Sequence, residues 1–323
     1  MRAAHLTHQN ITAGVTAIRA LLPASAPFSA LDTVISAHSL STAFGRTVAY
    51  TALYEGTSFT TLDSSKVFQL DNGMTHDPDH FSVLVLTSIF TVDSPSPLHD
   101  VMSTQQVGLP PATVFFLKPT QLDAVVNTII SNAKKSFIFP LAWRHKLAGL
   151  SEGYFTKESL WDRLVFDNAR STVFGERAAS LRAVVVSEGT VPASLLTPAR
   201  IALSVPLVVA HTHPLVSAPI LASHPHDVQT FIVTSDQDPA HVGPPTVNIE
   251  VKLVGVDDKA VERGDDPEGV LHVRGPIVGR VLPLAESTVG DEEPKIDEPW
   301  VSTGNRARVQ TNGAFKAWSP AKV

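Results

Sequence analysis

The stretch LRAVVVSEGTVPASLLTPARIALSVPLVVAHTH, residues 181–213, decides the fold. Residues 181–186 and 205–210 are short, continuously apolar runs rich in valine, the pattern of strands buried on both faces. Between them, residues 193–203 have the length and composition of a helix. Strand, helix and strand in so short a span form a βαβ unit, so the sheet is expected to be parallel and its functional groups to sit at the carboxyl ends of the strands. Gly189 and His211 stand at those ends.

Working toward the N-terminus, residues 112–117 (ATVFFL) and 81–90 (FSVLVLTSIF) read as further buried strands, and residues 31–36 as a shorter one. Thr120 and Asp123 form a capping-box-like pair in front of a helix whose apolar face is Leu122, Val125, Val126, Ile129 and Ile130. A second helical pattern is centred on Leu160, Trp161, Leu164 and Val165. Thr7 starts an N-terminal helix with Ile11, Val15, Ile18, Leu21 and Leu22 at helical spacing, and Pro23 ends it. Toward the C-terminus the period changes from helical to two. Residues 247–256 alternate, residues 269–274 make another strand, and residues 306–318 form a hairpin around Asn312-Gly313. The acidic stretches 257–268 and 286–298 read as solvated loops. The expected fold class is therefore α/β over residues 1–230, with an antiparallel β-rich subdomain over residues 231–323.

Composition narrows the function. With 43% hydrophobic and 17% charged residues among 323, the chain is globular, and 24 prolines limit helix length. A net charge of −6 without any basic cluster disfavours nucleic acid as a partner. The absence of cysteine excludes disulfides, thiolate metal sites and a cysteine nucleophile. Residues 1–14 are polar and lack the apolar core of a secretory signal. Residues 201–223 are apolar and free of charged side chains, yet Pro206, Pro214 and Pro219 with His211 and His213 do not suit a lipid-facing helix, so no transmembrane segment is expected.

The densest reactive group is HTHPLVSAPILASHPHD, residues 211–227. A His-x-His pair after a buried strand is the opening ligand set of metal-dependent hydrolases, which makes His211 and His213 a candidate zinc pair. The chain that follows looks antiparallel and is too short for the eight-stranded barrel such enzymes use. No G-x-S-x-G elbow, dinucleotide fingerprint or P-loop occurs.

Several segments, in order along the chain, resemble the large domain of adenylate-forming (AMP-binding) enzymes, and most of all fungal proteins of the long-chain acyl-CoA synthetase type. HLTHQNITAG (5–14) resembles the helix after the family's phosphate-binding loop, and LDTVISAHS (31–39) places His38 where the family carries a histidine after its next strand. LRAVVVSEGTVPASLL (181–196) resembles the strand whose end lines the adenine pocket, which implies that role for Gly189 and Thr190. HVGPPTVNIEVKLVGVD, EGVLHVRGPIVGR and WVSTGNRARVQTNGAFK complete a collinear match from about residue 5 to residue 318.

The resemblance implies a three-layer α/β large domain with a β-barrel-like subdomain, nucleotide contacts at Gly189, Thr190, His211, Thr212 and Asn305, and a substrate contact at His38. It also marks departures. The family's Tyr-Gly-x-Thr-Glu segment corresponds to residues 211–215, so leucine stands where a magnesium-binding carboxylate belongs and proline where a hydroxyl belongs. The aspartate that holds the ribose hydroxyls corresponds to Asn305. The Gly/Ser/Thr-rich loop before the first helix and the small C-terminal domain with its lysine are expected to be absent. The implied protein is a truncated, degenerate, catalytically impaired ligase-like member. Weak ATP or AMP binding, no Mg²⁺, and a fatty acyl or nucleotide ligand are expected. No catalytic residue is assigned. Its place is intracellular, in the cytoplasm or peripheral to an internal membrane, with the protein partner unknown. A non-catalytic scaffold role is the alternative.

Overall fold

The computed structural model describes residues 4–62, 111–229, 238–281 and 300–319; the strand expected at 81–90 and the acidic stretch 286–298 lie outside them. Strands β2 (Thr33–Ser36), β3 (Ser58–Thr61), β4 (Val114–Leu117), β5 (Ala183–Val186), β6 (Leu207–His211) and β7 (Leu221–Ala222) form one sheet in the order β3-β2-β4-β5-β6-β7. The first five pair in parallel and β7 joins antiparallel. Every residue of β2, β4 and β5 is buried, which is why these strands read as unbroken apolar runs.

Among the described residues, six helices cover this sheet: α1 (His8–Arg19), α2 (Ala43–Glu55), α3 (Pro119–Ala133), α4 (Phe139–Ser151), α5 (Asp167–Phe174) and α6 (Ala193–Leu203). α1 packs on α2, whereas α3 packs on α5 and α6. The chain moves one way across the sheet from β2 to β3 and the other way from β4 through β6. With right-handed crossovers, α2 and the α3–α6 group therefore fall on opposite faces, giving three layers. The order reverses between β2 and β4, and the crevice at the carboxyl ends beside such a switch point is where open α/β sheets bind ligands.

Three local expectations need correction. α3 begins at Pro119 rather than after a Thr120 cap, because proline pre-sets the first helical φ and the Gln121 Oε1 accepts the Lys118 N–H at 3.0 Å. The helical pattern near residue 160 has Leu160 and Leu164 in solvent, 63% and 53% exposed. There the chain runs as a π-helix, Asp162–Phe166, which turns Asp162, Val165 and Phe166 inward instead. The acidic 257–268 stretch holds a short helix, α7 (Asp258–Glu262), capped by Asp257 Oδ1 accepting from the Lys259 and Ala260 amides.

A second, antiparallel sheet has the order β8-β13-β12-β10-β9, built from β8 (His241–Gly243), β9 (Glu250–Val254), β10 (Glu268–Arg274), β12 (Val301–Val309) and β13 (Phe315–Trp318). β12 and β13 are joined at the Asn312-Gly313 turn, where Gly313 has φ +79°. β1 (Ala4–His5) pairs with β11 (Arg280–Val281). Nearby, the Asn10 amide donates to the carbonyls of Pro276 and Val278 at 2.8 and 3.1 Å. Asn10 thus pegs α1 to the turn that follows β10.

Candidate functional site

The carboxyl ends of β2, β4 and β5 bring together His38, Lys118, Ser187 and Glu188. His38 leaves β2 two residues past its end and is wholly buried, edge-on to the Phe44 ring with centroids 4.9 Å apart. Its Nε2 lies 3.0 Å from Ser187 Oγ. Its Nδ1 lies 3.1 Å from Glu188 Oε2, without the alignment of a hydrogen bond. Lys118 Nζ approaches the same Glu188 oxygen at 3.6 Å. Burial raises the Glu188 pKa, but contact with His38 and Lys118 outweighs it and holds the carboxyl below its ordinary range.

Glu188 has φ +60°, a left-handed conformation that carries strain for a side chain of this kind. Hydroxyl, imidazole and carboxylate here follow the sequence of a hydrolytic triad. Ser187 and His38, however, have no solvent exposure, so a substrate carbonyl has no route to the hydroxyl. The group braces the strand ends. Of its members, sequence reading singled out only His38. Ser187 and Glu188 were visible as polar residues closing an apolar strand, next to the glycine it chose. Lys118 closes β4 in the same way.

On the other side of β5, His211 ends β6 and Asn305 sits in the middle of β12. Asn305 Nδ2 lies 3.0 Å from His211 Nε2, and Asn305 Oδ1 accepts from Ser319 Oγ at 3.1 Å. Because Oδ1 is taken as an acceptor, the amide nitrogen donates to the ring, so His211 Nε2 carries the lone pair and Nδ1 the hydrogen. A neutral ring agrees with its surroundings. Burial, and then the neighbouring His213, push the His211 pKa down to about 4. Asn305 itself is held by the Thr303 hydroxyl, which accepts its backbone N–H at 3.1 Å and donates to the Leu271 carbonyl at 2.8 Å.

His213 Nδ1 accepts the Leu215 N–H at 3.2 Å, a backbone contact with Thr303 supports the ring, and burial lowers its pKa. In both rings a lone pair that a zinc ion would need is already engaged. Among the described residues no group of three or more His, Cys, Asp or Glu side chains is placed to hold a metal. Thr212 lies half-buried between the two histidines, while Gly189 and Thr190 are exposed at the end of β5. A Cβ at Gly189 would lie 3.0 Å from Pro119 Cγ, so a side chain there crowds the start of α3. The structure thus joins His211 to Asn305 and His38 to Glu188.

Asn305 uses one of its two amide hydrogens and one of its two oxygen lone pairs in these contacts. Among the described residues, one donor and one acceptor of this amide make no further contact. At the metal position implied by the resemblance, Pro214 and Leu215 supply no side-chain oxygen, and the Leu215 carbonyl is bonded to the Gly279 N–H at 2.7 Å. These residues do not fit a hard cation.

No protein-family model matches the chain. Among curated proteins it is similar to human long-chain-fatty-acid–CoA ligase 1, 27% identical over 207 residues, which are 63% of this chain and 27% of that protein. The guinea pig protein of the same name is 26% identical over the same share. The chain spans about a quarter of the length of these relatives. Among solved structures, a malonyl-CoA ligase with methylmalonyl-CoA and AMP bound superposes with a TM-score of 0.56 at 13% identity, over 99% of this chain and 50% of that one. The O-succinylbenzoate coenzyme A synthetase of Bacillus subtilis in complex with AMP gives 0.51 at 14% identity, over 99% and 47%. The N-terminal subdomain of Klebsiella oxytoca NpsA with a 3-hydroxyanthranilyl-AMSN ligand gives 0.53 at 14%, over 98% and 61%. The fold is that of the N-terminal domains of adenylate-forming enzymes.

Proposed function

We propose that the carboxyl edge of the parallel sheet binds the adenylate part of a nucleotide or acyl adenylate, and that this chain binds without activating a carboxylic acid. The observation that carries the reading is the Asn305–His211 contact, which joins a parallel-strand end to the antiparallel sheet in one polar wall. The similar solved structures carry AMP or adenylate analogues, and the curated relatives are fatty acid ligases, which supports an adenylate ligand and an acyl chain beside it. In this reading residues 1–230 are the AMP-binding-like region and 231–323 supply its lid-side β wall, with Gly189, Thr190, His211, Thr212 and Asn305 around the nucleotide.

Asn305 meets the ribose hydroxyls with its spare N–H and lone pair, uncharged and therefore weaker than an aspartate would be. His211, neutral at physiological pH, offers a ring face to the base. His38 and Lys118 engage the Glu188 carboxylate beside this edge. Bound ATP would supply the phosphoanhydride bond for acid activation, but Pro214 and Leu215 offer no side-chain oxygen to a magnesium ion, and charge stabilisation is the main tool of adenylyl transfer. Binding therefore proceeds without turnover. Calorimetric titration with AMP tests this: saturable binding is expected for the native chain, weakened about tenfold, or ~1.4 kcal/mol, in Asn305→Ala. Absence of heat with AMP, ATP and an acyl-adenylate analogue alike would remove the reading.

A further inference from the structure

A cavity lies far from the His211–Asn305 end of the sheet. It is bounded by α4, the turn at 153–159 and the C-terminal end of α6, the end that leads into the start of β6. Its volume is about 310 Å³, at the lower end for small-molecule sites. Leu150, Phe155 and Ile201 give it an apolar wall, and Lys146 and Arg200 bring positive charge to it.

The two cations differ in what they leave free. Lys146 Nζ donates to the Thr156 carbonyl at 2.5 Å and to both Asp162 oxygens at 2.9 and 2.8 Å, so its three hydrogens are spoken for. Arg170 closes the same cluster from behind, with Nη2 on Asp162 at 2.8 Å and on Ser204 Oγ at 2.9 Å and Nε on the Ala202 carbonyl at 2.7 Å. Arg200 is as buried as these, at 5% exposure. Yet among the described residues its guanidinium makes a single hydrogen bond, Nη1 to the Gln229 carbonyl at 2.9 Å, and Nε is buried with no partner. A guanidinium has five donors. Asp227 stands close enough to interact with the charge but gives it no hydrogen bond, its own oxygens being engaged by His241 Nε2 and the Gln229 amide. An under-satisfied buried guanidinium beside a cavity is costly unless something else completes it.

We propose that this cavity is a binding site for a small organic anion, its oxyanion head on the Arg200 guanidinium and its apolar body against Leu150, Phe155 and Ile201. The planar fork of an arginine suits carboxylate and phosphate equally, and the neighbouring Asp162 cluster is already neutralised, so it neither competes for the head nor repels it. Glu158, also at the wall, is exposed, so solvent screens its charge. The site sits at the other end of the sheet from His211 and Asn305, so it does not depend on the nucleotide reading.

Calorimetry with benzoate, octanoate, phenyl phosphate and inorganic phosphate tests the site. At least one probe with an apolar body is expected to bind, with affinity at least tenfold lower in Arg200→Gln and partly restored in Arg200→Lys. A preference among benzoate, octanoate and phenyl phosphate distinguishes a carboxylate from a phosphate ester. Hydrogen exchange on the native chain gives a readout that needs no variant: the bound probe should protect segments 145–159 and 200–204. Absence of binding by every probe, binding undiminished in a folded Arg200→Gln, inorganic phosphate binding as tightly as phenyl phosphate, or protection confined to other segments would each overturn the proposal.

Discussion

The two edges of the parallel sheet treat charge differently. At the amino edge, Arg182 forks onto Asp32 at 2.7 and 2.6 Å, and Thr113 Oγ1 donates to the same carboxylate at 2.7 Å. Burial raises the Asp32 pKa, but the Arg182 and Thr113 bonds outweigh it and hold it below the ordinary range. Within the α4–α5 layer, Asp162 is likewise saturated by Lys146, Arg170 and Ser159. At the carboxyl edge the His38–Ser187–Glu188 group is closed as well, but beside it Asn305 makes two side-chain contacts among the described residues, to His211 and Ser319, and His211 is held neutral. Closed ion clusters hold the layers together, and the proposal places the ligand at the edge where the polar groups are uncharged.

The largest effect that can break this contrast is at Asp162. Asp162→Ala leaves Lys146 and Arg170 buried without their counter-charge and should cost about 3–5 kcal/mol in chemical denaturation. A loss below about 1 kcal/mol would mean the cluster is not a closed structural unit. Next comes acid. Unfolded histidine titrates near 6.5 and His211 near 4, so between these values the unfolded chain binds more protons and stability rises with pH. The His211 contribution is complete above about pH 6.5 and is lost on acidification toward pH 4, up to about 3 kcal/mol. Melts of native chain and His211→Gln across that range should converge as pH falls, and parallel curves would refute the neutral ring.

Asp32→Ala at the amino edge should cost about 2 kcal/mol, less than Asp162 because Arg182 keeps a quarter of its side chain in water, and it should leave AMP affinity unchanged. The smallest effect belongs to the exposed sheet. Glu268 bridges Arg306 and Arg308, and Glu268→Gln should change stability by less than about 0.5 kcal/mol, with salt erasing the difference.

How much of this was readable in advance follows from what each segment buries. The βαβ unit was legible because β5 and β6 bury nearly every residue and α6 lies between them with the bounds its composition gave. The β12–β13 hairpin was legible because Gly313 must take a positive φ. α2 and α4 were not assigned, and their burial explains it. α2 exposes Tyr50, Leu53 and Tyr54 while burying Thr47 and Thr51, whose hydroxyls bond back to the carbonyls of Ala43 and Thr47. α4 exposes Leu141 and Leu147 and buries Lys146. Inverted patterns of this kind hide the helical period.

At the site, His211 was legible as the end of a buried strand, whereas Asn305 came from the resemblance, since 94 residues separate them and no local pattern links them. Ser187, Glu188 and Lys118 acquire meaning only when β2, β4 and β5 lie side by side.

ATP–pyrophosphate exchange with a panel of short, medium and long-chain carboxylic acids tests the central claim most directly. The account predicts no exchange above a protein-free control at concentrations where AMP occupies the site. Exchange above that control, abolished by His211→Ala or Asn305→Ala, would contradict it.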